Sequence, residues 1–179
     1  MISLGPVEQK FILHWGEMGT RWGINRTVAQ VHALLFLSKK PLNAEEIAEA
    51  LAVARSNVSN SLKELQGWGI VRRVHVLGDS RDHFESLKDV WEMFRVVLDE
   101  RKKREIDPTM RVLRECISEA EKDKGTSEYT REKLRELADF FETTTAWYEQ
   151  VRQWPTGALV KFLKAGEKVR KFLGIGASL

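Results

Sequence analysis

The sequence predicts a mainly α-helical protein with one small β-ribbon, and three observations carry that reading. Residues 43–51 and 56–65 each repeat apolar residues at helical spacing, Ile47 and Leu51 in the first and Val58, Leu62 and Leu65 in the second. Only residues 52–55 separate them. Residues 71–77 then alternate Val71, Val74 and Val76 with Arg72, Arg73 and His75, and Gly78-Asp79-Ser80-Arg81 is expected to turn the chain so that His83-Phe84-Glu85 returns beside it. Two short helices joined by a brief turn and followed by a two-stranded ribbon make a winged helix-turn-helix, in which the second helix enters a groove of DNA.

The elements follow in order. Residues 7–15 read as a short helix with Pro6 suited to its first turn, and Gly16, Gly19 and Gly23 are expected to break it into a loop. Asn25 caps a second helix carrying Val28, Val31, Leu34, Leu35 and Leu37, which stops before Pro41. Asn43 and Glu46 stand at capping-box spacing at the start of the first motif helix. Ala54 cannot cap with its side chain, so the second motif helix is expected to begin near Ser56; Gly67 and Gly69 end it. From Lys88 the composition shifts to long charged amphipathic helices. Val90, Trp91, Phe94, Val97 and Leu98 form a stripe that runs out at Arg101, and Asp107-Pro108 is expected to cap and restart a helix through Met110, Leu113 and Ile117. Residues 124–127 turn the chain into a helix of about seven turns, with Leu134, Leu137, Phe141, Tyr148 and Val151 at three- and four-residue steps. Trp154-Pro155 ends it, and residues 159–172 form a basic amphipathic helix with Lys161, Lys164, Lys168, Arg170 and Lys171. Residues 1–87 are therefore expected to form the winged helix-turn-helix DNA-binding domain, its N-terminal helix joining the dimer interface, and residues 88–179 a helical dimerisation and effector region. Apolar stripes with little to cover them imply a second subunit.

Composition narrows the function classes. At 179 residues, 42% hydrophobic and 31% charged, the chain suits a globular protein with long solvent-facing helices. A net charge of +3 is only compatible with a polyanionic partner, but between residues 55 and 81 the cations Arg55, Lys63, Arg72, Arg73 and Arg81 face only Glu64 and Asp79. The single cysteine, Cys116, excludes an intrachain disulfide and a cysteine metal cage, and in its helix it reads as a small buried hydrophobe. His14, His32, His75 and His83 lack metal-ligand spacing. No signal peptide or membrane span is legible, and a cytoplasmic location is expected. Without a phosphate loop, nucleophile–base pair or metal cluster, neither an enzyme nor a cofactor is expected.

Particular residues then carry a resemblance. Residues 25–30 (Asn-Arg-Thr-Val-Ala-Gln), 42–51, 55–65, 67–73 and 78–82, with Asp89-Val-Trp-Glu-Met-Phe94 and Arg104-Glu-Ile-Asp-Pro108, resemble the GbsR branch of the MarR-like winged-helix transcriptional regulators. The resemblance spans roughly the first two thirds of the chain, and residues 89–94 are its more specific part. Known bacterial members repress genes of choline uptake and glycine betaine synthesis. Ala52 departs from a usual turn glycine and Ala54 from a usual capping serine.

The resemblance implies a homodimeric regulator, in keeping with a repressor, that reads an inverted repeat in double-stranded DNA. On the second motif helix Asn60 is placed to pair with adenine, Ser56, Asn57 and Ser59 to bond bases or phosphates, and Lys63 to reach a phosphate. Arg55 adds to the local positive charge. Asp79 and Arg81 match the Asp-x-Arg wing of MarR-like proteins, with Arg81 expected at the wing tip and suited to the minor groove. Of Arg72 and Arg73, alternation allows one to face DNA while the other lies over the core. A solvated polar face and a turn arginine paired with Asp79 or Asp82 are the other readings. The family's link to choline also suggests an aromatic cage for a small-molecule effector, with Trp15, Trp22, Trp91, Trp147, Tyr148 and Trp154 as candidates; packing aromatics are the plainer reading. A winged-helix protein–protein module that does not touch DNA is the alternative function. The basic last helix is open to the dimer, the DNA or another partner.

Overall fold

The computed structural model describes residues 3–166. The chain divides into two compact units, residues 1–100 and a second beginning at Arg101. In the first, helix α1 (Pro6–Arg21) lies against α2 (Arg26–Leu37), and a two-residue strand β1 (Leu42–Asn43) leads into α3 (Ala44–Leu51) and α4 (Arg55–Gly67). Strands β2 (Val71–Val76) and β3 (Asp79–Ser86) form an antiparallel hairpin that β1 extends to a sheet of order β1-β3-β2. Helix α5 (Val90–Arg101) follows, with Met93, Val96 and Val97 against the core. That core is Ile12 of α1, Val31, Leu34 and Leu35 of α2, Ile47 of α3, Val58, Leu62 and Leu65 of α4, and Val71 and Phe84 of the sheet. The fold is thus the winged helix-turn-helix that the apolar spacing predicts.

Local chemistry fixes the boundaries. The box at the start of α3 closes both ways: Glu46 N donates to Asn43 Oδ1 at 3.0 Å, and Asn43 N donates to Glu46 Oε2 at 2.8 Å. Ala52 ends α3 in the left-handed region at φ 52°, where a glycine would sit without steric cost. Helix α4 begins at Arg55, one residue before the expected start, and no side chain caps it at Ala54. Its buried Ser61 donates to Asn57 O at 2.8 Å, so a polar residue sits inside with its hydrogen bond made. Lys88, just after β3, ties the sheet to the end of α2, donating through Nζ to the carbonyls of Leu35, Phe36 and Ser38 at 2.7, 2.9 and 2.7 Å.

Two expectations for this unit change. Gly16 does not break α1, which runs on to Arg21. Gly16 and Gly19 face α2: a Cβ at Gly16 would meet Gln30 Cγ at 2.8 Å, and one at Gly19 would meet Ala29 Cβ at 2.6 Å. They are helix residues that let two helices approach, where the sequence alone suggests loop punctuation. The hairpin is also tighter than expected. Val76 pairs with Asp79, leaving Leu77 and Gly78 (φ +84°) as the tip. Arg81, expected at the tip, therefore sits within β3.

In the second unit a π-helical segment (Lys102–Ile106) leads into α6 (Asp107–Lys122), followed by α7 (Glu128–Arg152) and α8 (Thr156–Lys164). Asp107-Pro108 does not restart a helix: Ile106 and Asp107 are both helical, and the chain passes through the wide π turn without a break. The Asp107 N–H donates to Lys102 O, the five-residue step of a π turn. Asp107 accepts from Lys102 Nζ at 2.8 Å in place of capping. Met110 and Leu113 of α6 pack on Ala138, Leu134 and Phe141 of α7, which Ser127 caps through Thr130 N. Cys116, expected to be buried, is exposed on α6. Lys161 and Lys164 fall on or at the end of α8, whereas Lys168, Arg170 and Lys171 lie outside the described residues. Among the described residues no helix is long and apolar enough to cross a membrane.

Gly19→Ala should lower the unfolding free energy by about 1–3 kcal/mol in urea titration, since neither Cβ can yield without moving backbone. Gly67→Ala, with nothing within 4 Å of the added Cβ, should stay within about 1 kcal/mol of the parent. Equal losses would contradict the close approach of α1 and α2. Ala52→Gly should gain about 0.5–1 kcal/mol by relieving the left-handed residue.

Candidate nucleic-acid interface

Burial of Val58, Ser61, Leu62 and Leu65 on one side of α4 leaves Ser56, Asn57, Asn60 and Lys63 exposed on the other, with Ser59 half-buried between. Arg55 opens the helix from its first turn. On one flank of α4 lies a concavity of about 380 Å³. Arg55, Ser59 and Lys63 line it from α4, Glu45 from α3, and Arg73, Arg81 and Asp82 from the hairpin. Five of the nine residues singled out for DNA contact thus surround one hollow, and Ser56, Asn57 and Asn60 stand exposed on the same helix.

Each arginine has a carboxylate partner. Arg55 Nη2 lies 2.8 Å from Glu45 Oε1, and Arg73 Nη1 lies 3.1 Å from Asp82 Oδ2. Arg72 does not lie over the core, contrary to expectation for one of the two: it is 75% exposed and bonded to Glu85 Oε1 at 2.6 Å. Its register partner across the hairpin is the same Glu85, which holds it outward. Asp79 Oδ1 accepts from Arg81 N at 3.0 Å and Arg81 Nε at 2.9 Å. These bonds hold the Asp79 carboxyl well below the usual carboxylate range. Buried His83 backs the arrangement, with Nδ1 2.9 Å from Arg81 O and Nε2 3.5 Å from Asp79 Oδ2. Lys63 has no carboxylate within ion-pair distance among the described residues. Glu45 is a functional candidate that the sequence does not single out, and Asp82, which spacing offers as a partner for Arg81, is instead brought beside Arg73 by the strand register.

The aromatic candidates fall into separate places. Trp15 and Trp22 line a cavity of about 260 Å³ in the first unit, together with Met18, His32, Trp68 and Phe94. Trp22 is 47% exposed, and Trp15 stacks on Phe11 at 5.4 Å. Trp91 packs edge-on against Phe94 at 6.5 Å and does not line that cavity. Trp147 and Tyr148 belong to α7 in the second unit, and Trp154 packs edge-on against Phe162 at 5.3 Å. Trp68 was missed by the cage reading; its signal was a large aromatic between Gly67 and Gly69 at a helix end. Among the described residues no carboxylate lines the cavity, so a cation there would depend on the aromatic rings for any charge stabilisation. Among the described residues no three His, Cys, Asp or Glu side chains gather to hold a metal ion.

Comparison with known proteins bears on this geometry. Residues 22–82, from the loop after α1 to the middle of β3, match the profile of the MarR family. The HTH-type transcriptional repressor GbsR of Bacillus subtilis (strain 168) is 21% identical over 154 residues, which cover 82% of this chain and 85% of the repressor. The putative HTH-type transcriptional regulator YvaV of the same organism is 25% identical over 87 residues, 49% of each chain. A crystal structure of a transcriptional regulator matches with a TM-score of 0.55 at 21% identity, over 89% of this chain and 99% of that one, and so shares the fold.

His32 makes the unit sensitive to acid. It is 7% exposed, with ring centroids 6.4 Å from Trp15 and 6.2 Å from Phe36. Burial, helped by the nearby charge of Lys88, lowers its pKa from 6.5 to about 4. The folded state therefore binds this proton more weakly than the unfolded chain. Its contribution is complete above pH 6.5 and is lost as pH falls toward 4, by up to about 3 kcal/mol. Urea titrations at pH 7 and pH 4.5 should show that loss in the parent and a smaller one in His32→Leu. An equal loss in both would contradict a neutral buried His32.

Proposed function

We propose that this chain is a transcriptional regulator of the MarR type, in keeping with the match of residues 22–82 to that family and the similarity to GbsR, and that it acts as a homodimer that reads an inverted repeat in double-stranded DNA and represses the genes beside it. The observation that supports this most directly is the shared hollow of Arg55, Ser59, Lys63, Arg73 and Arg81 beside an α4 whose Ser56, Asn57 and Asn60 are exposed. A helix of this kind fits the major groove, which is about 12 Å wide. In that position Asn60 pairs with an adenine edge, while Ser56, Asn57 and Ser59 reach bases or phosphates. Lys63, Arg55 and Arg73 neutralise phosphates, and Arg72 reaches the backbone from the other side of the hairpin. Arg81, oriented by Asp79, turns toward the minor groove beside it.

Residues 1–87 supply this reading head, and residues 88–179 the pairing of two chains. Leu137, Phe140 and Trp147 of α7 are exposed large apolar residues at helical spacing, the kind of face that a second copy would cover. Two heads then meet successive major grooves about 34–36 Å apart. The repressor role follows the similarity to GbsR. An effector acts by binding one head spacing more tightly than the other, since equal affinity for both would shift nothing. The cavity lined by Trp15 and Trp22 is the place offered for it; Trp91 does not line it, and Trp147 and Tyr148 belong to α7 of the second unit.

Fluorescence anisotropy with the duplex from upstream of the protein's own gene should give tighter binding than a random duplex of equal length. Asn60→Ala should weaken the specific complex by about 1–3 kcal/mol and relax preference at one base position. Lys63→Ala should weaken both complexes alike and reduce the slope of log K against log salt by about one. Indistinguishable affinities for the two duplexes, with Asn60→Ala and Arg81→Ala silent, would rule the proposal out.

A further inference from the structure

The hollow beside α4 carries more negative charge than a phosphate-binding surface needs. Arg55, Lys63, Arg73 and Arg81 bring four positive charges to its lining, and Glu45 and Asp82 return two negative ones. Both carboxylates are in ion pairs with cations of the same lining, Glu45 with Arg55 at 2.8 Å and Asp82 with Arg73 at 3.1 Å. Glu45 also acts on Arg81, whose pKa is raised chiefly by its hydrogen bond to Asp79 and further by the charges of Glu46 and Glu45. These pairs are solvent-exposed, with 66% and 56% of the arginine side chains accessible, so they add little to folding stability. Their position matters for another reason. A phosphate oxygen reaching Arg55 or Arg73 must displace a carboxylate oxygen that already holds the same guanidinium, and then sit beside the displaced negative charge.

We propose that Glu45 and Asp82 act as a brake on sequence-independent DNA binding, holding Arg55 and Arg73 in carboxylate pairs that random phosphates must break. The inference rests on the reading of α4 and the hairpin as a DNA-binding surface. Binding to arbitrary sequence is almost wholly electrostatic, so it feels the full cost of exchanging the two pairs. A matched duplex adds base contacts from α4 that offset the exchange. Free protein is thereby kept off the large excess of non-target DNA without surrendering the arginines that the target complex uses.

The test is titration of a random duplex over a range of salt with the full chain and with Glu45→Gln, Asp82→Asn and the double variant. Each single variant should bind random duplex about threefold more tightly at low salt and the double variant about tenfold, with a steeper salt slope. Glu115→Gln with Glu119→Gln, two exposed α6 carboxylates with no ion pair among the described residues, controls for net charge and should change affinity by less than twofold. Unchanged affinity in the double variant would overturn the brake. So would an equal gain in the α6 control, because net charge alone would then account for it. If the parent itself bound no duplex, the DNA-binding reading would fall; if it bound and the double variant bound no tighter, only the brake would.

Discussion

Val58, Leu62 and Leu65 are almost inaccessible to solvent because α4 presses them against α2 and the start of β2, and this burial decides which α4 side chains can face outward. A helix has one set of positions per face, so fixing three apolar residues inside fixes Ser56, Asn57, Asn60 and Lys63 outside. Each buried leucine contributes roughly 1.5–3 kcal/mol, far more than any polar residue gains from its place on the surface. The outer face is therefore free to be chosen for chemistry. It carries short polar side chains and one lysine without a carboxylate partner among the described residues, on a helix that no side chain caps at its start.

The hairpin depends on the same packing. Val71 and Phe84 belong to the core, which anchors the base of the hairpin beside α4 and points Arg73 into the hollow on that side. Farther out, order comes from polar contacts: Asp79 orients Arg81, and buried His83 donates through Nδ1 to Arg81 O. Hydrophobic burial places the elements, and charge pairing aims the arginines. The same charge pairing sets how readily a phosphate can take the arginines over. Lys88 closes the unit by binding the end of α2, so the segment leaving the sheet is fixed to the helix that supports α4.

Much of the first unit was legible because its signals are local. Apolar spacing gave α2, α3 and α4; Asn43 and Glu46 gave a cap; alternating valines gave β2. What stayed hidden required knowledge of neighbours. Gly16 and Gly19 look like loop residues until α2 is placed 2.6–2.8 Å from where their Cβ atoms would be. Arg81 looks like a tip residue until the Val76–Asp79 pair shortens the turn. Asp107-Pro108 looks like a helix start because a π turn leaves no mark in the sequence. Cys116 reads as a buried apolar residue because its type is most often buried, yet α6 turns it outward. The candidate DNA contacts could be named from residue type and spacing, whereas the carboxylates facing them depended on tertiary register, and the grouping of Trp15 and Trp22 with Trp68 depended on four helices meeting.

The central claim is that the outer face of α4 and the neighbouring hairpin meet DNA while the core behind them stays as it is. Amide hydrogen exchange of the full chain, with and without a duplex from upstream of its own gene, measures this most directly. Slowed exchange at residues 55–63 and 76–82, with the amides around Val31 and Leu34 unchanged, is the expected result. Exchange at α4 and the hairpin that does not respond to saturating duplex, or protection confined to other segments, would contradict it.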